Sequence, residues 1–238
     1  MLSFIQFSRL PTYLALHIPD GFLSLPVSLF CWIIALVLIA VSLKRVQKDY
    51  QERTVPLMGV CAAFIFAAQM INFPIPGGTS GHLLGGTLAG ILLGPWAGTL
   101  VMTVVFIVQA VLFQDGGLTV LGANIVNMGL LGTFCGYYLY KSIRVTLGRQ
   151  SWNSMAIATA IASWFSVVIA AVMTAFQLAL SETVPLTLAL IAMVSWHLVI
   201  GVGEAIITLI AISFIWRSRP DLLYDPPHSL KFNPDARS

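Results

Sequence analysis

Apolar runs separated by short polar clusters repeat along most of the chain. Six long runs cover about residues 25–43, 55–72, 96–113, 122–140, 154–180 and 188–216. A helix needs roughly 20 apolar residues to cross the hydrocarbon of a bilayer, and these runs are of that order. Long apolar helices also satisfy their own backbone polar groups, which lipid cannot do. A shorter, glycine-rich run, 83–94, closes at Gly94-Pro95. Periodicity alone leaves it either a span or a re-entrant piece, and the placement of Lys and Arg decides between them. If it spans, the N-terminus is outside, the C-terminus inside, and eleven of the twelve Lys and Arg residues are inner, with Arg9 the exception. If it does not, the later segments flip and eight basic residues fall outside. The pattern therefore predicts an all-α membrane protein of about seven transmembrane helices. The short span is lodged among its neighbours, where Gly85, Gly86, Gly90 and Gly94 permit close packing.

Composition narrows the class further. Of 238 residues 58% are hydrophobic and 9% charged, too little charge to cover a soluble domain of this length. Asp, Glu, Lys and Arg are missing between Arg53 and Asp115 and again between Arg149 and Glu182. The formal charge of +3 does not point to nucleic acid, because the basic residues flank apolar runs as membrane topology requires. Cys31, Cys61 and Cys135 lie inside apolar runs without metal-ligand spacing and are expected to pack.

Three polar clusters fall at the predicted outer boundary. They are Leu16-His17-Ile18-Pro19-Asp20-Gly21, Pro74-Ile75-Pro76-Gly77-Gly78-Thr79-Ser80-Gly81-His82, and Gln114-Asp115-Gly116-Gly117 followed by Gly122-Ala123-Asn124 and Asn127. Polar groups held at or in the bilayer are costly and mark function by default, so the three loops are expected to converge on one outward pocket. Two histidines on one side suit Ni, Co, Cu or Zn, while a solvated outer-loop histidine is the plainer alternative. A fourth feature is His197 with Glu204, seven residues apart on one helix face. It reads as an intramembrane polar pair that fixes packing, or as a relay or partner contact.

Taken together, these clusters resemble the CbiM/NikM family, the substrate-specific membrane components of energy-coupling-factor importers for cobalt and nickel. The match rests on His17-Ile18-Pro19-Asp20-Gly21, Gly77 through His82, Gly94-Pro95-Trp96, Gln114 through Gly117, Gly122-Ala123-Asn124-Ile125 and His197 through Glu204, in order over residues 16–216. The resemblance implies a four-nitrogen site for Ni²⁺ or Co²⁺. Its donors are the terminal amine of residue 16, the main-chain nitrogen and ring of His17, and the ring of His82. Thr79, Ser80, Asp115, Asn124 and Asn127 are then expected to orient those donors. In this sequence Leu16 is internal, which leaves it no amine. The expectation is that residues 1–15 are an extension, removed or never made, with Leu16 as the true initiator or as the residue exposed by trimming. Residues 16–216 form the membrane domain and 217–238 a polar cytoplasmic tail.

The resemblance also implies partners. No Gly-x-x-x-x-Gly-Lys-Ser/Thr phosphate loop occurs, so ATP would be used by other chains. A transmembrane coupling subunit (CbiQ/NikQ type), an ATP-binding-cassette ATPase (CbiO/NikO type) and a separate small accessory subunit (CbiN/NikN type) are expected in a bacterial plasma membrane. No tightly bound cofactor, no enzymatic activity and no nucleic-acid partner are expected. Two other readings stay open from sequence. A vitamin-binding subunit of the same importer class would need aromatic surfaces such as Phe22, Phe73, Phe113 and Trp96 to converge. A rhomboid-like intramembrane serine protease would pair Ser80 of Gly78-Thr79-Ser80-Gly81 with His197.

Overall fold

The computed structural model describes residues 17–48, 54–70, 73–75, 79–148 and 151–225, with backbone alone at 73–75 and 79–81. The helices are α1 (Leu25–Lys48), α2 (Thr54–Gln69), α3 (Gly86–Leu112), α4 (Leu121–Asn124), α5 (Gly136–Leu147), α6 (Trp152–Leu180) and α7 (Leu186–Ser218). Between α4 and α5 the chain winds as a π-helix over Ile125–Cys135, so 121–147 is one continuous rod. Four helices, α1, α3, α6 and α7, are long and apolar enough to cross a membrane, and α2 is a shorter apolar helix. Large apolar side chains such as Phe30, Leu188, Ile210 and Phe214 are more than half exposed on their outer faces. An aqueous protein hides such groups; a bilayer solvates them. The molecule is thus a multi-pass, essentially all-helical membrane protein. One small departure from that expectation is an antiparallel hairpin, β1 (Phe73–Ile75) with β2 (Thr79–Gly81), in which Pro74 faces Ser80.

α3 does not run straight. Gly94 has φ 78° and ψ 167°, a conformation open essentially to glycine alone, and Pro95 follows, its fixed φ suited to starting a helix. The second arm, 95–112, folds back along the first, 86–93. A Cβ on Gly98 would lie 3.0 Å from the backbone of Ala89, nine positions earlier, which a single straight helix would hold far apart. The reversal agrees with the Gly94-Pro95 signal. As expected, the glycines are used for close approach. Gly86 lies against the backbone of Met128 and Gly132, Gly90 against Thr133 and Tyr137, and Gly85 against Ile65. α3 is the most buried of the long helices and carries much of the core, including Leu88, Met102 and Phe106.

Beyond α7 the chain turns back rather than leaving the bundle. Leu223 is buried, the Tyr224 N–H donates to the Ile91 carbonyl (3.1 Å), and the Tyr137 hydroxyl donates to Asp225 Oδ2 (2.5 Å). The first residues of the expected tail therefore close the end of the bundle at which α3 reverses.

Candidate metal-capture site

Two of the expected clusters meet first through backbone. The loop after α3 presents Gly117, whose N–H donates to the Ile18 carbonyl (3.0 Å). Asn124 completes the grip: its Oδ1 accepts the Ile18 N–H (3.2 Å) and its Nδ2 donates to the Ile18 carbonyl (3.4 Å). Asp20 reinforces it by accepting the Leu118 N–H (3.2 Å), the Thr119 N–H (2.8 Å) and the Thr119 hydroxyl (2.5 Å). Burial alone would raise the Asp20 carboxyl above its ordinary pKa. The bonds from Thr119 and the backbone outweigh that and leave it below. Gly116 and Gly117 are required by proximity, because a Cβ on either would strike His17 or Asp20.

This clamp delivers His17 into the interior, 5% exposed. Its Nδ1 lies 3.3 Å from Asp115 Oδ1, an ion-pair distance without hydrogen-bond alignment. Neither ring nitrogen makes a hydrogen bond to a described residue. Leaving such groups unsatisfied in the interior costs free energy, which a metal ligated through the ring would offset. The third cluster supplies His82, 6% exposed, with its ring centroid 4.9 Å from that of His17. His82 Nδ1 lies 2.7 Å from the Leu83 carbonyl. A carbonyl can only accept, so Nδ1 carries a proton, the arrangement common in histidines that ligate a metal through Nε2. Phe106 forms an apolar wall, edge-on to His17 at 5.2 Å.

The remaining expected residues divide. Asp115 and Asn124 touch the site as described. Asn127 instead joins α6, exchanging two amide hydrogen bonds with Gln177 (2.7 and 2.8 Å) and donating to Thr174 (3.1 Å). Thr79 and Ser80 form β2, three and two residues before His82; their side chains, like Leu16 and residues 1–15, lie outside the described parts. His197 and Glu204 are not bonded to each other. His197 Nδ1 pairs with the Met193 carbonyl of its own helix (2.6 Å), which gives the protease reading no support. Glu204 accepts backbone N–H groups beside His82 (2.8 and 2.9 Å). Trp96 meets Phe134 edge-on (4.7 Å) and Phe113 tilts against Phe66 (5.1 Å), at the two ends of the second arm of α3, so these two do not converge as the vitamin reading needs; the Phe73 side chain lies outside the described residues. Among the described residues no group of three or more His, Cys, Asp or Glu could hold a metal, so the protein donors found here are the two histidines. Residues that sequence reasoning missed are Phe106 and the buried amides Gln69 and Gln109. Both amides interrupt apolar helices, which is the signal that should have marked them.

A model of the CbiM family, described as the cobalt uptake substrate-specific transmembrane region, matches residues 17–222. The chain belongs to the CbiM family. A putative fused nickel transport protein, NikMN, from Archaeoglobus fulgidus is 41% identical over 87% of this chain and 68% of its own length. A cobalt transport protein, CbiM, from Sorangium cellulosum is 32% identical over 87% of this chain and 94% of its own length. A crystal structure of a truncated transition metal transporter superposes with a TM-score of 0.76 at 34% identity, covering 84% of this chain and 98% of that one. The proteins similar to this CbiM-family member are named as nickel or cobalt transport proteins.

Proposed function

We propose that this chain is the substrate-capturing component of an energy-coupling-factor importer, taking Ni²⁺ or Co²⁺ from outside the plasma membrane. One observation carries the reading: two buried imidazoles from distant loops lie 4.9 Å apart, one with unsatisfied nitrogens and the other with a proton held on Nδ1. The donors are His82 Nε2, the ring and main-chain nitrogen of His17, and an amine at residue 16 once that residue is the mature terminus. Chelation by the main chain and ring of one histidine uses Nδ1, the nitrogen that here faces Asp115. Capture then moves His17 from the carboxylate to the ion, and Asp115 stays close enough to offset the ion's charge. Four nitrogens in a plane suit Ni²⁺ well. The main-chain nitrogen releases a proton on binding, so capture weakens as pH falls.

The same reading gives seven crossings, counting the two arms of α3 separately, with the site outside and the basic loops inside. ATP hydrolysis belongs to a CbiO/NikO-type ATPase acting through a CbiQ/NikQ-type coupling subunit. The fused names of similar proteins support a CbiN/NikN-type accessory partner. Native mass spectrometry of the full chain with added Ni²⁺ or Co²⁺ tests the core of this. One bound ion, lost in His17→Ala and in His82→Ala, is expected together with a mature terminus at residue 16. A chain starting at Met1 that binds no ion would exclude the four-nitrogen site.

A further inference from the structure

Beneath the two histidines lies a layer of buried polar side chains that the capture reading does not itself use. Glu204, 1% exposed, reaches from α7 toward the segment that connects His82 to α3. Its Oε2 accepts the Leu84 N–H at 2.8 Å and its Oε1 the Gly85 N–H at 2.9 Å. Helix starts leave such N–H groups without partners, and a carboxylate satisfies two at once where an amide oxygen would serve poorly. The layer continues sideways. The Leu84 carbonyl accepts Gln69 Nε2 (2.7 Å), and Gln69 Oε1 accepts Gln109 Nε2 (2.9 Å). The main-chain carbonyl of Gln109 in turn accepts the N–H groups of Phe113 and Asp115, both at 3.1 Å.

Followed end to end, the bonds run from α7 through the His82 segment, α2 and α3 to the loop whose Asp115 faces His17. Both loops that deliver histidines are therefore registered against one rigid layer. α7 otherwise packs chiefly on α6, and it meets α3 and β2 only sparingly, so Glu204 is its main polar link to the site.

We propose that Glu204, acting through the Gln69–Gln109 layer, is a positioning residue that sets His82 against His17 for metal capture and makes α7 the element through which that spacing is altered. The proposal rests on the capture reading above. A buried carboxylate is expensive unless it is fully hydrogen-bonded, and here both oxygens are used two and three residues from the second imidazole. Displacing α7 withdraws the acceptor from Leu84 and Gly85. The turn then relaxes and His82 leaves its place beside His17, so release can be driven from a helix that supplies no ligand to the ion.

The test is a Ni²⁺ titration of the full chain, followed by affinity and by the visible ligand-field band of the bound ion, alongside thermal melting. Glu204→Ala is expected to weaken Ni²⁺ by about 10- to 100-fold and to shift the band as a nitrogen donor is lost, as orienting groups around metal ligands generally do. Glu204→Gln, which keeps one good acceptor, should fall between. Should Glu204→Ala not fold, Gln69→Leu reads the same layer and should shift the band in the same direction. Unchanged affinity and band with a lowered melting temperature would overturn the proposal and leave Glu204 a purely structural cap. If His82→Ala itself left Ni²⁺ binding intact, the capture reading would fall instead, so the two failures are distinguishable.

Discussion

Gly117→Ala isolates the clamp from the histidines. A Cβ at this position would stand 2.2 Å from Asp20 Oδ1 and 2.3 Å from the Asp20 nitrogen, where ordinary contact begins near 3.4 Å. The 17–20 segment must then retreat by about 1 Å, a shift that on a steep van der Waals wall cannot be absorbed in place. The Gly117–Ile18 bond and the three bonds to Asp20 are lost or stretched together. At about 0.5–1.5 kcal/mol each, and discounted because most are exposed, their loss amounts to about 2 kcal/mol of docking free energy. If metal binds only the docked segment, apparent affinity weakens by the docked fraction, about 30-fold for that energy. Isothermal titration of Ni²⁺ into detergent-purified protein measures it, and the helices, which do not depend on this loop, should melt close to wild type. Wild-type affinity in Gly117→Ala would refute the idea that docking of 17–20 builds the site.

Four further outcomes follow from the same geometry. Asn124→Ala removes both bonds to Ile18 and should weaken Ni²⁺ by about 10-fold, whereas Asn127→Ala should leave affinity nearly unchanged and lower the melting temperature, since its partners are on α6. Gly94→Ala forces a side chain into a glycine-only conformation 2.6 Å from the Tyr224 ring. A loss of about 2–3 kcal/mol is expected, visible as early aggregation on heating in fluorescence-detected size exclusion. Because the folded-state pKa of Asp20 is lowered, its contribution is complete above its unfolded value near 3.9 and is lost as pH falls through the folded one. Protection of the Leu118 and Thr119 amides against exchange, relative to the intrinsic rate, should therefore fall at the acid end, and Asp20→Asn should leave that protection low at every pH. Asp115→Asn, which keeps the shape and removes the charge, should weaken Ni²⁺ nearly as much as Asp115→Ala in the same titration; wild-type affinity in Asp115→Asn would argue that Asp115 acts by shape alone.

Much of this was readable before any coordinates. Run length gave the long helices, because hydrocarbon thickness sets a minimum that few soluble helices reach. Gly94-Pro95 announced the reversal of α3, since that pair both permits and requires a break. The polar clusters named His17, His82, Asp115 and Asn124, which do converge. What stayed hidden depended on three-dimensional partners. The spacing of His197 and Glu204 showed only that they share a face, and each turned out to bond backbone, one on its own helix and one across the bundle. Asn124 and Asn127 look like neighbours on an α-helix. The π-winding that begins at Ile125 turns the chain less per residue, and Asn127 faces α6 instead. No periodicity could foretell that winding, because Asn127 and Thr133 are the only polar side chains in 125–135, too few to define a stripe. The short β1–β2 pairing was equally invisible, because Pro74 within β1 argues against a strand.

The reversal at Gly94 bears on how the protein is made. The first arm of α3 rises roughly 12 Å, well short of the roughly 30 Å of hydrocarbon it has to be accommodated in. During synthesis it cannot be recognised as a span in its own right. Under the proposed seven-crossing reading its entry into the bilayer is coupled to the second arm, the two inserting as a helical hairpin whose turn carries only Gly94 and Pro95. That turn exposes little polar backbone, and Tyr224, among the last described residues to be synthesised, covers it. Membrane integration of the middle of this chain is then completed by its end, so a ribosome stalled before residue 224 should leave a hairpin that is inserted but not yet sealed.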